Sequence, residues 1–176
     1  NLGNGKVFNI LDLIKDIENG VYPDDLSGKK VVVIGGGAVG LDVVEYFAPK
    51  GADVSIVEMM PAIGRDLDPV TKNDTSSLME KYGVKQYTST KLLEVRADNY
   101  LVERDGNQEE LPFDYGFVCL GMRANAPIYQ DLLNTFGDTN VAVMNIGDSN
   151  VRARRIIDGT HEGRNILKVL KSKGFF

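Results

Sequence analysis

The period of the apolar positions changes several times along this chain, and each change marks an element. Phe8, Leu11, Ile14 and Ile17 recur at helical spacing, with Ile10 and Leu13 widening the stripe, and Gly20 ends the segment. This predicts a short amphipathic helix with nothing in its own segment to cover its apolar side, so it must dock on the next unit or on protein outside this chain. Tyr22-Pro23-Asp24-Asp25 and Ser27-Gly28 are loop chemistry. Val31-Val32-Val33-Ile34 is a continuous β-branched run, the pattern of a strand buried on both faces and hence of a parallel sheet. Leu41–Lys50 reads as a helix closing at Gly51, and Val54-Ser55-Ile56-Val57-Glu58 as a second buried strand, so residues 30–58 form one βαβ unit. Asp68–Tyr82 predicts another helix, with Leu78 and Met79 on its buried side and Gly83 at its end.

From Val84 the pieces are shorter. Val84–Thr90 is expected to join the parallel sheet, while Leu92–Ala97, Tyr100–Arg104 and Glu109–Phe113 read as an antiparallel meander turned at Asp105-Gly106. Tyr115–Leu120 returns to a buried strand that stops at Gly121. Ala124–Thr135 is loop and short helix, and Val141–Ile146 is expected to be a last strand. Arg154–Lys173 is expected to be a helix with Ile156, Ile157, Ile166, Leu167 and Leu170 facing inward.

At 176 residues the chain holds one domain, or one domain with extra pieces. Twenty basic against 25 acidic residues leave a net charge of −5, a poor match for nucleic acid or an anionic membrane surface. One cysteine excludes an internal disulfide framework, a CxxC pair, a cysteine-built zinc site and an iron–sulfur cluster held within the chain, and one histidine excludes a multi-histidine metal site. The apolar runs fall far short of the ~20 residues a membrane helix needs, and residues 1–20 do not have the form of a signal peptide. The expected setting is cytoplasmic, with no membrane partner. Because the chain begins at Asn, we expect a fragment of something longer.

The chemistry concentrates at Gly35-x-Gly37-x-x-Gly40. Glycines at that spacing are weak evidence alone, but here a buried strand precedes them, a helix follows, and an acid, Glu58, closes the next strand 18 residues after Gly40. Gly35 permits the tight turn, Gly37 lets the backbone approach a pyrophosphate, and Gly40 lets helix and strand pack closely. Unpaired N–H groups at the helix start, with the positive end of the helix dipole, suit the phosphates. Glu58 is placed to accept both hydroxyls of an adenosine ribose. A 2′-phosphate would face that carboxylate with only Met59-Met60 beside it, so NAD(H) is expected rather than NADP(H), Arg65 being the cation nearest in sequence.

Taken together, Gly35–Gly40, Glu58, the meander, the strand Asp114-Tyr115-Gly116-Phe117-Val118-Cys119-Leu120-Gly121 and the later Ile146-Gly147-Asp148 resemble two-dinucleotide (FAD/NAD) flavoprotein reductases, in their order. Lys29–Gly40 and Asn145–Asn165, with Asp158-Gly159-Thr160-His161-Glu162-Gly163-Arg164, look most like the C-terminal part of old yellow enzyme-type NADH:flavin oxidoreductases, the enoate reductase and 2,4-dienoyl-CoA reductase group. The resemblance covers roughly residues 28–165. It implies an α/β fold: a Rossmann-like parallel sheet with an inserted antiparallel β-meander, flanked by partial FAD-domain segments. The expected divisions are an N-terminal helix and linker from the FAD-domain side (1–27), the NAD(H)-binding domain (28–125) and a C-terminal part of the FAD-binding domain (126–176). It implies NAD contacts from Gly35, Gly37, Ala38, Val39, Gly40, Glu58, Met59 and Gly121, and FAD contacts from Gly147 and Asp148. Asn125 falls in the family's stretch beside the nucleotide, with Ala124 where a proline is usual. Asp42 stands where many relatives carry a glutamate near the nicotinamide.

A first FAD-binding βαβ, the cluster cysteines and an FMN barrel are absent from these 176 residues. The expected partners are therefore NADH and N-terminal FAD and FMN-barrel domains of the same polypeptide, with FMN and an iron–sulfur cluster elsewhere in it. The expected function is to pass hydride from NADH to FAD and on to an activated alkene, with no catalytic residue in this fragment and no activity on its own. The alternative is a free-standing NAD-sensing module without redox activity. Cys119 reads as a buried core thiol and His161 as a partly exposed structural histidine. Arg152, Arg154 and Arg155 are either a solvated helix start or a contact to flavin phosphate.

Overall fold

The computed structural model describes residues 5–121, 123–150 and 156–175. They form two compact units that part after Gly121. In the first unit, β1 (Val7–Phe8), α1 (Ile10–Glu18), β2 (Lys30–Ile34), α2 (Ala38–Phe47), β3 (Asp53–Val57), α3 (Pro69–Lys81) and β4 (Lys85–Tyr87) precede three strands, β5 (Thr90–Val95), β6 (Asn99–Arg104) and β7 (Asn107–Pro112), and then β8 (Tyr115–Val118). Five strands make a parallel sheet in the order β1-β8-β2-β3-β4, and β5-β6-β7 make a separate antiparallel sheet. This is the α/β architecture with an inserted meander that the sequence predicts. Asp105 and Gly106 both take positive φ, 51° and 78°, which matches the twist of the β6–β7 hairpin.

The apolar run in β2 divides between two interiors. Val31 and Val33 join Leu41, Val43, Val44 and Phe47 of α2, Val54 and Ile56 of β3, and Phe117 of β8. Val32 and Ile34 join Val57 and the meander residues Tyr100, Val102, Leu111 and Phe113. Helices cover one face of the sheet and the meander covers the other, so the successive side chains Val31–Ile34 of β2 are all buried. Met79 of α3 is buried in the first interior and Leu78 packs against it. Asp68 caps α3, accepting from the N–H groups of Val70 and Thr71.

The N-terminal segment differs from its expected form. Phe8 lies in β1, and the helix begins only at Ile10, capped by Asn9 in a reciprocal capping box with Asp12. The pairing of β1 with β8 and this cap fix the direction of α1. Leu13 turns into the core with Tyr22 and Leu26, leaving Leu11, Ile14 and Ile17 on the outer side, Leu11 71% exposed. The helix thus docks on the neighbouring sheet by the Ile10 and Leu13 edge of the expected stripe, and Leu11, Ile14 and Ile17 stay outside.

The second unit holds α4 (Pro127–Phe136), a 3-10 turn at Gly147–Ser149 and α5 (Ile156–Ser172). Two expectations fail there. Residues 141–146 form no strand, because a strand requires a hydrogen-bonding neighbour and none is supplied among the described residues of this unit. None of the expected inward residues of α5 is buried: Ile156 is 91% exposed, Ile157 and Leu167 are exposed, and Ile166 and Leu170 are half-buried. With no sheet in the described part of the unit, the apolar side of α5 has nothing to cover. The expected start of this helix and the cluster Arg152, Arg154 and Arg155 lie outside the described residues.

Candidate functional site

The parallel strands β2, β3 and β8 end side by side, and their carboxyl ends open into a cleft of about 580 Å³. In an open α/β sheet a ligand crevice forms at this place, where the strand order reverses direction. Gly35 and Gly37 line it from the β2–α2 turn, Ala38 and Val39 from the start of α2, Val57, Glu58 and Met59 from the end of β3 and just beyond, and Cys119, Leu120 and Gly121 from the segment after β8. Seven of the eight residues expected around NAD thus share one wall. The eighth, Gly40, is not part of the lining. A Cβ there would lie 1.9 Å from the Gly35 carbonyl oxygen, so Gly40 acts by letting α2 start against the end of β2.

The other two glycines differ in kind. Gly35 has φ +108°, and a Cβ on it would meet the Cys119 carbonyl oxygen at 2.3 Å. Gly37, the N-cap of α2, has an extended backbone and nothing within 4 Å of where its Cβ would be. The space in front of Gly37 is free, and the first-turn amides of α2 face the end of the helix without intrahelical acceptors. An anionic group fits here both sterically and electrostatically.

Glu58 sits at the rim with both carboxylate oxygens engaged. Oε2 accepts the Gly36 N–H at 2.7 Å and Oε1 accepts the Met60 N–H at 2.7 Å. An ionised carboxylate offers about four lone-pair sites, so each oxygen retains capacity for a ribose hydroxyl. Arg65 is exposed and is not among the residues lining the cleft. The cation that does line it is Lys91, carried in with Thr90 and Leu92 at the start of the meander, and Asp66 lines it as well. Periodicity gave no signal for these four, because the fold brings them in from beyond the βαβ unit. Gly36 also escaped the G-x-G-x-x-G spacing, which leaves the position unassigned.

Cys119 is buried, and its thiol is pushed up to about 12, chiefly by burial and secondarily by the Asp42 carboxylate. That keeps it protonated, in keeping with a core thiol and against a nucleophile. Asp42 itself is absent from the cleft lining, and burial raises its carboxyl above the usual range, with Glu45 adding to the effect.

In the second unit Gly147 has φ +74° and opens the 3-10 turn that carries Asp148. Glu162 of α5 fixes this turn: Oε2 accepts the Gly147 N–H at 2.7 Å and Oε1 accepts from Asn150 Nδ2 at 3.3 Å. Ser149 Oγ donates to Asn145 Oδ1 at 2.6 Å, closing the loop from its other side. Met144, Asn145, Asn150, Asp158, His161 and Glu162 border a cavity of about 410 Å³ next to the turn. His161 is exposed, and Asn125 lies in an exposed loop of the same unit. No helix among the described residues is long and apolar enough to cross a membrane.

A family model for pyridine nucleotide-disulphide oxidoreductases matches residues 3–151. Bilirubin reductase of Mediterraneibacter gnavus is 35% identical over 147 residues, covering 84% of this chain and 22% of that protein. NADH oxidase of Thermoanaerobacter brockii is 32% identical over 148 residues, covering 80% and 22%. Among solved structures, a 2-naphthoyl-CoA reductase complex superposes with TM-score 0.65 at 25% identity, over 89% of this chain and 22% of that one. Histamine dehydrogenase from Rhizobium sp. 4-9 has the same fold, with TM-score 0.70 at 21% identity over 94% and 26%. The chain therefore spans only about a fifth to a quarter of the length of these proteins. With its glycine turn, rim carboxylate and parallel sheet in place, the chain belongs to the pyridine nucleotide-disulphide oxidoreductase family.

Proposed function

We propose that this chain is the NAD(H)-binding part, with a portion of the FAD-binding part, of a larger NADH:flavin oxidoreductase. The observation that carries this reading is the convergence of Gly35, Gly37, Ala38, Val39, Glu58, Met59 and Gly121 on one cleft at the ends of β2, β3 and β8. The first-turn amides of α2 would meet the diphosphate, with the open space at Gly37 leaving room for it. Glu58 would take the adenosine ribose hydroxyls on the lone pairs its backbone donors leave free. A 2′-phosphate would face that carboxylate, which favours NADH over NADPH.

The nicotinamide and flavin groups, when bound, supply the hydride donor and acceptor, and the protein supplies their placement. Gly147 and Asp148 would contribute one side of the FAD site, the Gly147–Ser149 turn being held ready by Glu162. Residues 28–125 would form the nucleotide domain, with 1–27 and 126–176 belonging to the FAD side. The remainder of the polypeptide would hold the rest of the FAD site. As in the old yellow enzyme-type reductases, it would also hold FMN and an iron–sulfur centre, with an activated alkene such as an enoate as final acceptor. The relatives' greater length supports a larger polypeptide around this chain. The isolated chain would bind NADH without turning it over.

Calorimetric titration of the chain tests the reading. NADH should bind saturably and more tightly than NADPH, and Glu58→Ala should weaken NADH by about 1.5–3 kcal/mol. Absence of NADH binding at millimolar concentration would overturn it.

A further inference from the structure

Glu58 has a second set of contacts that a ribose ligand does not require. Its Oε2 holds the N–H of Gly36, the residue between Gly35 and Gly37, at 2.7 Å, and the Gly36 carbonyl accepts the Gly64 N–H at 2.7 Å. Both backbone groups of Gly36 are thus tied to protein. Its Oε1 holds the N–H of Met60 at 2.7 Å, whose carbonyl accepts from Ser89 N–H at 3.0 Å. The Glu58 main chain is fixed too, its N–H donating to Tyr87 O at 2.8 Å and its carbonyl accepting from Thr90 N–H at 3.0 Å. The contact at Gly36 is close: a Cβ there would lie 3.0 Å from Glu58 Cβ and 3.1 Å from both Glu58 Oε2 and Ile63 Cγ1.

We infer that Glu58 is a positioning residue for the phosphate-binding turn, acting through the Gly36 amide, in addition to any contact with the ribose. The inference rests on the reading of this cleft as a dinucleotide site. Bonds from N–H to an ionised carboxylate are about twice as strong as neutral ones. This pair anchors the turn after β2 to the tip of β3 and, through the backbone bonds, to the β4–β5 connection. The turn is therefore ordered before a ligand arrives, and binding carries less of the cost of ordering it. Gly36 cannot carry a side chain without moving Glu58 or Ile63, which accounts for three consecutive glycines where the spacing motif asks for two.

The two roles separate in a thermodynamic cycle on the chain, using NADH and an NADH analogue whose adenosine is 2′,3′-dideoxy. A residue serving only the hydroxyls would leave the analogue's Kd the same in Glu58→Ala as in the parent. The positioning role predicts that this Kd rises about tenfold. Glu58→Gln, which retains one acceptor oxygen and the side-chain volume, should give a smaller rise and serves if the alanine variant does not fold. In the free chain, amide exchange should accelerate about tenfold at both Gly36 and Met60 in Glu58→Ala and at one of the two in Glu58→Gln, while Val33 and Ile56 stay as protected as before. If NADH itself does not bind, the dinucleotide reading falls and amide exchange alone decides this inference: acceleration supports it, and unchanged exchange overturns it. If NADH binds, an unchanged Kd for the analogue overturns it.

Discussion

Gly40 packs so closely on Gly35 that a methyl group on the first would sit 1.9 Å from the carbonyl oxygen of the second. The oxygen is main chain and the position of a Cβ is set by the main chain, so neither can yield by a rotamer change. Gly40→Ala should destabilise the fold by about 1–3 kcal/mol, the usual range for overpacking. A urea titration should show the lower midpoint with or without NADH, and an unchanged midpoint would contradict the close approach of α2 to the end of β2.

Gly37 should behave in the opposite way. Its Cβ would meet nothing within 4 Å, and its backbone is extended. Gly37→Ala should change stability by no more than about 0.5 kcal/mol. If a diphosphate lies against this position, the same substitution should weaken NADH binding about tenfold, or ~1.4 kcal/mol. Equal NADH affinity in the two proteins would remove the phosphates from this end of the cleft.

Tyr100 is fully buried between the meander and the sheet, and its hydroxyl has no hydrogen-bond partner among the described residues. A lone buried hydroxyl carries a desolvation cost of about 1–3 kcal/mol. Tyr100→Phe should therefore leave stability unchanged or raise it, and a loss above ~1 kcal/mol in a denaturant titration would contradict this. A Cβ at Gly116 would lie 2.5 Å from the Tyr100 oxygen and 2.8 Å from the Phe113 ring. Gly116→Ala should be destabilising in the parent and less so beside Tyr100→Phe, a coupling that a double-mutant cycle measures.

Cys119 gives a pH prediction. Burial, with Asp42 second, pushes its thiol up to about 12 in the folded chain, whereas an unfolded cysteine titrates near ~8.5. The folded state then keeps a proton that the unfolded state releases, so stability is intact below about pH 8.5 and falls as pH rises from there toward 12. A disulfide reagent at pH 8 should label the native chain far more slowly than the urea-unfolded chain. Cys119→Val should flatten part of the alkaline fall in melting temperature. Rapid labelling of the native chain would show the thiol to be accessible.

Much of the first unit was legible because its signals are local. The run Val31–Ile34 is apolar at every position because alternate side chains enter different interiors. Asp105-Gly106 supplies the positive φ angles its hairpin needs. What escaped depends on distant partners. The expected stripe is broad, yet with β1 paired to β8 only its Ile10 and Leu13 edge turns inward, and Leu11, Ile14 and Ile17 face out. Residues 141–146 have strand composition without a neighbouring strand among the described residues of their unit. The Gly36–Glu58 bond spans 22 positions, and the fingerprint that locates Glu58 after the glycine turn gives the middle glycine no partner.

The border strand β1 has a further consequence. Val7 is wholly buried and aligns with Gly116, while the Gly116 N–H donates to Lys6 O at 2.8 Å. A truncation beginning after Asn9 would strip β8 of that neighbour and leave its hydrogen-bonding edge bare. Such a product should self-associate through that newly opened side, and the cleft wall that continues from β8 would loosen with it. Trimming the chain through Asn9 would thus damage the molecule at a point remote in sequence and adjacent in space.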